Sequence, residues 1–321
     1  MKYIGIQTQK RRNNIRSTLM LFLFPCVLLM LTWIFFYILT NHLYPNEYSA
    51  YSPLQQATHA FLNAAPWIVG GCMIWFLIAY FSNTRIINAS TGAKPLERRE
   101  HKRVYNLVEN ICIANGMEMP RINIIEDSSL NAYASGINKK SYTVTLSRGI
   151  IEKLNNEELE AVIAHELTHI RNNDVKVLII SIVFVGIFSF LTQILARVLL
   201  NGRIRIRGNN EKGSAGIIII MLLILFLAAI GYCITLMMRF AISRKREYMA
   251  DAGSAEMTKN PLALASALRK IATDPHIEAV EQHDVAQLFI DNPMKKGKSF
   301  INTLFATHPP IEKRIRTLEQ Y

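Results

Sequence analysis

The segment AHELTHIRNND contains two histidines four residues apart, with a glutamate directly after the first. Residues four apart in a helix lie on one face about one turn apart, so His165 and His169 can bind a single metal ion. Glu166 lies where a carboxylate can accept a proton from an attacking water. The spacing therefore indicates a hydrolytic zinc centre with one Zn²⁺ per chain. Two solvated histidines on a helix surface are the alternative.

A catalytic zinc needs a third protein ligand and an open fourth position. The segment RFAISRKREYMADAGSAEM is predicted to be helical and carries Glu247 and Asp251, again four residues apart. Glu247 is a candidate for the third ligand, and Asp251 is a candidate for accepting the free N–H of a histidine. In the alternative, which composition alone favours, both are helix-surface carboxylates paired with Arg244, Lys245 or Arg246.

The polar segments around these residues predict the elements that position them. NNEELEAVIAHELTHIRNN is typical of a water-facing helix, because Asn155 or Asn156 can cap it and glutamates occupy its first turn. RREHKRVYNLVENICIANG predicts an earlier helix. Between the two helices, RINIIED, NAYASGI and SYTVTLS predict a small, partly antiparallel sheet.

Four long apolar blocks interrupt the polar chain, at 18–40, 66–82, 177–200 and 215–238. About 20 apolar residues cross a bilayer, so we expect about four transmembrane helices, the second of them short for a span. The expected fold class is α+β, a polytopic membrane protein whose zincin-like cytoplasmic catalytic domain is split by the second helical hairpin. The expected domains are an N-terminal membrane hairpin (1–85), a first catalytic part (86–176), a second membrane hairpin (177–238) and a second catalytic part (239–321).

Basic residues determine the expected orientation. Lys and Arg are frequent in the N-terminal tail and after the second block, whereas residues 41–65 contain none. The positive-inside rule therefore places both ends of the first hairpin in the cytoplasm. The loop NGRIRIRGNNEKG is also basic, so the second hairpin either crosses twice against that rule or enters the membrane without crossing it. The net charge of +12 indicates anionic lipid headgroups and not nucleic acid as the partner.

Four motifs, taken in order, resemble the HtpX-type membrane zinc metalloproteases, which are relatives of the CAAX prenyl proteases. They are NAYASG, HELTH followed by NND, SRKREYMADAGSA after a hydrophobic hairpin, and THPPIEKRI. Two amino-terminal spans also fit the family. The resemblance covers nearly the whole chain.

The resemblance implies roles for individual residues. His165, His169 and Glu247 match the zinc ligands of the family, and Glu166 matches its general base. His308 matches a histidine beside the active site that helps to hold the oxyanion, Arg314 matches an arginine that supports this region, and Asp251 matches a position near the ligand helix. The edge strand along which an extended substrate would lie comprises Asn131, Ala132, Tyr133, Ala134, Ser135 and Gly136.

The function that the resemblance implies is a zinc-dependent endopeptidase integrated in the bacterial inner membrane. Its substrates would be polypeptides, above all misfolded or damaged membrane proteins cut at the cytoplasmic face during stress. The lipid bilayer is the other expected partner, and no oligomeric state follows from the sequence.

Three other functions compete with this interpretation. A CAAX-type prenyl protease would enclose its site in about seven spans, and only four apolar blocks are present. An intramembrane protease of the site-2 type would carry H-E-x-x-H inside an apolar span, whereas NNEELE and RNND are too polar for that position. A non-catalytic membrane scaffold that retains a zinc site is disfavoured by the intact Glu166.

Overall fold

A computed structural model of the chain describes residues 6–43, 50–201, 211–272 and 309–321. The chain divides into two compact units. The polar unit comprises Met1–Ser17, Tyr80–Ile182 and Arg239–Tyr321. The apolar unit comprises Thr18–Ala79 and Val183–Met238.

Helices make up most of the described chain. In order they are α1 (Ile6–Ile38), α2 (Pro53–Thr91), α3 (Lys102–Ala114), α4 (Arg148–Lys153), α5 (Asn156–Arg171), α6 (Asp174–Asn201), α7 (Glu211–Thr258), α8 (Pro261–Ile271) and α9 (Ile311–Leu318). A π-helical turn, Leu39–Leu43, follows α1. The strands are β1 (Lys94–Pro95), β2 (Arg121–Ile125), β3 (Ala132–Ser135) and β4 (Thr143–Ser147).

Four stretches of these helices are long and apolar enough to cross a membrane, and they match the four predicted blocks in number. They are Asn14–Asn41, Pro53–Ile78, Asp174–Ile194 and Ile218–Thr235. Large apolar side chains on them face outward, with 83% of Trp67 and 72% of Phe22 exposed, as contact with lipid requires. The second stretch begins at Pro53 and not at residue 66, because the segment predicted as a loop up to residue 65 is helical and carries no charge from residue 53 onward.

The sheet has the strand order β1-β2-β4-β3. Strands β2 and β4 are parallel, and β3 is antiparallel to β4. The prediction of three strands in a partly antiparallel sheet is confirmed. The sequence pattern missed β1, because two residues are too few to show an alternating period. The order makes β3 an edge strand, as the resemblance had implied for this segment.

Helix α5 lies at the centre of the polar unit. It packs against β3, α3 and α8, and α8 in turn packs against α9. Leu159, Ile163 and Leu167 follow one another at four-residue spacing and are fully buried. Burial of each such side chain contributes about 1.5–3 kcal/mol to the free energy of unfolding. Most other residues of α5 are buried too, including His165 and Glu166, so the prediction of a water-facing helix is wrong.

Candidate metal centre

The ends of α5 are defined by local hydrogen bonds. Asn155 caps the helix by accepting from the backbone N–H of Glu158, and the Glu158 carboxylate accepts from the backbone N–H of Asn155. This capping box resolves the choice between Asn155 and Asn156. The helix stops at Arg171, and Asn173 then takes a positive φ of 59°, a conformation that asparagine tolerates better than most residues. The chain turns there and begins α6 at Asp174.

Three potential ligand atoms converge at the C-terminal half of α5. The Nε2 atoms of His165 and His169 are 3.3 Å apart. The Glu247 carboxylate on α7 places Oε2 3.7 Å from Nε2 of His165 and Oε1 3.6 Å from Nε2 of His169. Among the described residues, this is the group of histidine, cysteine and acidic side chains that can hold a metal ion.

These separations fit a zinc ion. Ligand atoms about 2.0–2.1 Å from one tetrahedral zinc lie about 3.3–3.4 Å from one another. The charges agree as well, because four carboxylates (Glu166, Asp174, Glu247 and Asp251) are buried here with only two guanidinium groups (Arg246 and Arg314). Buried charges are normally paired or bound to metal, and a divalent cation would balance the excess of negative charge.

Small residues allow α7 to approach α5 closely enough to bring Glu247 to the histidines. A Cβ atom added to Gly253 would lie 2.3 Å from Cγ2 of Thr168 on α5, so only glycine fits at this crossing. The next residue, Ser254, donates its hydroxyl to the carbonyl of Ala161 at 2.6 Å. The two helices are therefore held in contact along the face that carries the ligand atoms.

His165 is supported by residues far away in the sequence. Its Nδ1 atom lies 3.1 Å from Oδ1 of Asp251 on α7. Arg314 on α9 donates to both oxygens of that carboxylate, at 2.7 and 2.9 Å, and its Nη2 lies 3.5 Å from Nε2 of His165. Asp251 is thus buried between a histidine and an arginine, and Glu247 is buried as well. Neither is the surface carboxylate that composition alone had favoured.

The electrostatics follow from this burial. Burial lowers the pKa of His165, but the carboxylates of Asp251 and Glu247 outweigh it and raise the pKa to about 9. Burial raises the pKa of Asp251, but the Arg314 guanidinium more than offsets it and holds the pKa below its usual range. Glu166 lies on α5 between the two histidines and is buried, and burial raises the pKa of its carboxyl.

His169 is supported by a residue that our sequence analysis did not name. Its Nδ1 atom lies 3.1 Å from Oδ2 of the buried Asp174, the first residue of α6. Arg246 on α7 donates from Nη1 to the backbone carbonyl of Asp174 at 3.0 Å. The NND turn directly after the H-E-x-x-H helix was the signal that could have revealed Asp174. No local signal distinguished Arg246 from its basic neighbours.

The other predicted site residues are distributed as follows. Arg314 lies within the cluster, with Nη1 3.5 Å from Oε2 of Glu247. Residues 132–135 form the edge strand β3, which contacts α5, with Asn131 before it and Gly136 after it. His308 lies outside the described residues.

Residues 98–321 match the family described as Peptidase family M48, and this range contains all the residues of the candidate metal centre. A "Protease HtpX homolog" from Bacteroides fragilis (strain ATCC 25285) is 62% identical over 324 residues, which cover 100% of both chains. A protein of the same name from Thermoanaerobacter pseudethanolicus is 38% identical over 75% of this chain and 79% of its own.

Among solved structures, the crystal structure of S. mikatae Ste24p is similar with a TM-score of 0.42 and 21% identity. The match covers 90% of this chain and 61% of that chain, so this chain spans less than two thirds of its length. A similarity at this level assigns no property to the chain.

Proposed function

The chain belongs to peptidase family M48 and is a membrane metalloprotease, and from this premise we propose a narrower function. The protein is a zinc-dependent endopeptidase that cleaves misfolded or damaged membrane proteins at the cytoplasmic face of the bacterial inner membrane. The spacing of the three ligand atoms of His165, His169 and Glu247 carries this proposal, because it suits one tetrahedral zinc ion. Glu166 directly follows the first of these ligands in the chain.

A zinc ion bound by these three side chains would supply Lewis acidity, which lowers the pKa of a bound water and polarises the scissile carbonyl. The protein supplies the proton transfer and the orientation. Glu166 takes the proton from the attacking water and passes it to the leaving amine. Asp251 and Asp174 each place a carboxylate oxygen 3.1 Å from Nδ1 of His165 and His169, respectively, and both Nε2 atoms lie toward the Glu247 carboxylate.

Of the three candidate ligands, His169 is the most exposed. The His169 side chain is 14% exposed, whereas those of His165 and Glu247 are 1% and 7% exposed. An extended substrate would pair with the edge strand β3, which packs on α5. Pairing of main-chain groups reads the shape of a segment more than its sequence, which suits an enzyme that removes many different damaged chains. His308 would assist at the oxyanion and Arg314 would support this region, as the family resemblance implies.

We further propose the domain arrangement and the location. Residues 1–85 form a membrane hairpin and 177–238 a second one, and the catalytic domain consists of 86–176 with 239–321. The distribution of Lys and Arg supports a catalytic domain in the cytoplasm. Substrates confined to this membrane surface would then reach the centre through their cytoplasmic loops and ends.

The experiment that tests the activity is cleavage of casein, an unfolded substrate, by the detergent-purified full chain loaded with zinc. Glu166→Gln should lower the rate about 10²–10⁴-fold, because the general base is lost, while one zinc per chain is retained. Glu160→Gln is the matched control, since Glu160 is a partly exposed carboxylate on the same helix. Equal rates for wild type and Glu166→Gln with zinc bound would favour the non-catalytic scaffold. A strong preference for a prenylated CAAX peptide would favour the prenyl protease.

A second experiment tests the membrane face. Casein is added to sealed vesicles that contain the protein, either inside-out or right-side-out with respect to the cell. We expect cleavage only in inside-out vesicles, which present the cytoplasmic face to the medium. Cleavage confined to right-side-out vesicles would refute the cytoplasmic location and leave the zinc chemistry intact.

A further inference from the structure

Two buried residues, Asp174 and Arg246, adjoin the candidate ligands without contributing a ligand atom. Asp174 approaches His169 with its side chain, 3.1 Å from Oδ2 to Nδ1. Arg246 donates to the backbone carbonyl of the same aspartate at 3.0 Å. Arg246 also directly precedes Glu247 in α7. Two contacts and one peptide bond thus connect His169 to Glu247.

The first contact determines which nitrogen of His169 is available to a metal. When the Asp174 carboxylate accepts Nδ1–H, the lone pair of the neutral ring lies on Nε2, which is the atom that faces the other ligands. A carboxylate partner also makes the imidazole a stronger ligand. Asp174 therefore has a defined effect on the metal site without touching the metal.

The second contact ties the turn after α5 to α7. The turn passes through Asn173 in a left-handed conformation, and α6 starts immediately after it. Arg246 has 7% of its surface exposed, and burial of a guanidinium is costly unless it is paired. A buried arginine at this place is difficult to explain by stability alone, because an apolar side chain of similar volume would cost less desolvation.

We propose that Asp174 and Arg246 are a ligand-positioning pair that keeps the ligand atoms of His169 and Glu247 close enough to bind one metal ion. Asp174 orients the ring of His169, and Arg246 holds Asp174 against the helix that carries Glu247. The inference rests on the proposed metal site and adds to it two residues that support the ligands. Loss of such support typically weakens metal binding about 10–100-fold.

The test measures zinc affinity of the full chain in detergent by competition with a chromophoric chelator. Wild type is compared with Asp174→Asn, Arg246→Met and Arg246→Lys. We expect affinity to fall about 10–100-fold for Asp174→Asn and Arg246→Met. Arg246→Lys keeps the charge and should recover part of the loss. Visible absorption of the cobalt-substituted proteins gives a second measure, because its bands report ligand geometry.

The matched control is Arg171→Met. Arg171 also connects α5 to α7, through an ion pair of 3.1 Å with Glu256, but none of the contacts described for it reaches a ligand. We expect this variant to bind zinc within about twofold of wild type, a change of about 0.4 kcal/mol or less.

The outcomes distinguish a specific positioning pair from a general tether between α5 and α7. Weaker binding with an altered cobalt spectrum in Asp174→Asn and Arg246→Met, but not in Arg171→Met, supports the positioning pair. Unchanged affinity and spectra in both variants would overturn it while the zinc site stands. An equal loss in Arg171→Met would also overturn it, since any tether between the helices would then suffice. Wild type that binds no zinc would refute the proposed function itself.

Discussion

The two halves of α5 are stabilised in different ways. The N-terminal half is capped by neighbours in the sequence, because Asn155 and Glu158 cap each other across three residues. The Glu158 carboxylate also accepts from Lys270 and Ser266 of α8, each at 2.7 Å. The C-terminal half carries His165 and His169, whose ring contacts come from α6, α7 and α9. Local capping therefore forms the helix, and long-range contacts turn one of its faces into a metal centre.

This difference predicts that substitutions at the two halves of α5 affect stability and zinc binding differently. Changes at the C-terminal half should impair both folding and zinc affinity. Changes at the N-terminal cap should reduce stability alone. Three variants test this, each measured by denaturant unfolding of the metal-free protein and by zinc competition.

The largest effect is expected for Arg314→Met. The Asp251 carboxylate would lose its bidentate partner in a buried position, and removal of one member of a buried ion pair costs about 3–5 kcal/mol of unfolding free energy. Zinc affinity should fall too, because Asp251 holds His165. Arg316→Met is the control, since Arg316 is exposed on the same helix, and it should stay within about 0.5 kcal/mol of wild type. Equal stabilities of the two variants would contradict the buried pairing.

A smaller effect is expected for Gly253→Ala at the crossing of α5 and α7. The new methyl group overlaps Thr168, and overpacking of this kind costs about 1–3 kcal/mol even though alanine favours helix. Zinc affinity should also fall, because α7 carries Glu247. The double variant Gly253→Ala with Thr168→Ala removes most of the overlap and should regain stability relative to the sum of the single changes. Strict additivity would show that the two residues do not meet.

The smallest effect is expected for Asn155→Ala at the start of α5. Loss of the cap leaves the Glu158 N–H without its side-chain acceptor and should cost about 0.5–2 kcal/mol. Zinc affinity of the folded protein should be unchanged, because the ligands lie more than two turns away. Asn155→Ser retains a capping oxygen and should restore most of the loss. A clear fall in zinc affinity of Asn155→Ala would show that the two halves are coupled.

The strands and the helix around H-E-x-x-H were predictable because their signals are local. Short runs rich in Ile, Tyr, Thr and Val between polar breaks mark β2, β3 and β4, and the asparagine cap marks the start of α5. Glu247 could be proposed as a ligand only from spacing and family resemblance. The side chains that surround it could not be predicted from the sequence, because nothing in SRKREYMAD distinguishes the buried Arg246 from a surface basic residue.

The sequence by itself determined the family, the apolar helices and the identity of the groups that carry the chemistry. A helical period of 3.6 residues, a helix cap and a run of about 20 apolar residues each depend only on residues that are close together in the sequence. Tertiary structure alone decided that Asp251 and Arg314 form a buried pair behind His165 and that Asp174 and Arg246 lie behind His169. Each of these contacts except that of Asp174 with His169 joins positions more than 60 residues apart, and the close approach of α7 to α5 at Gly253 brings them together.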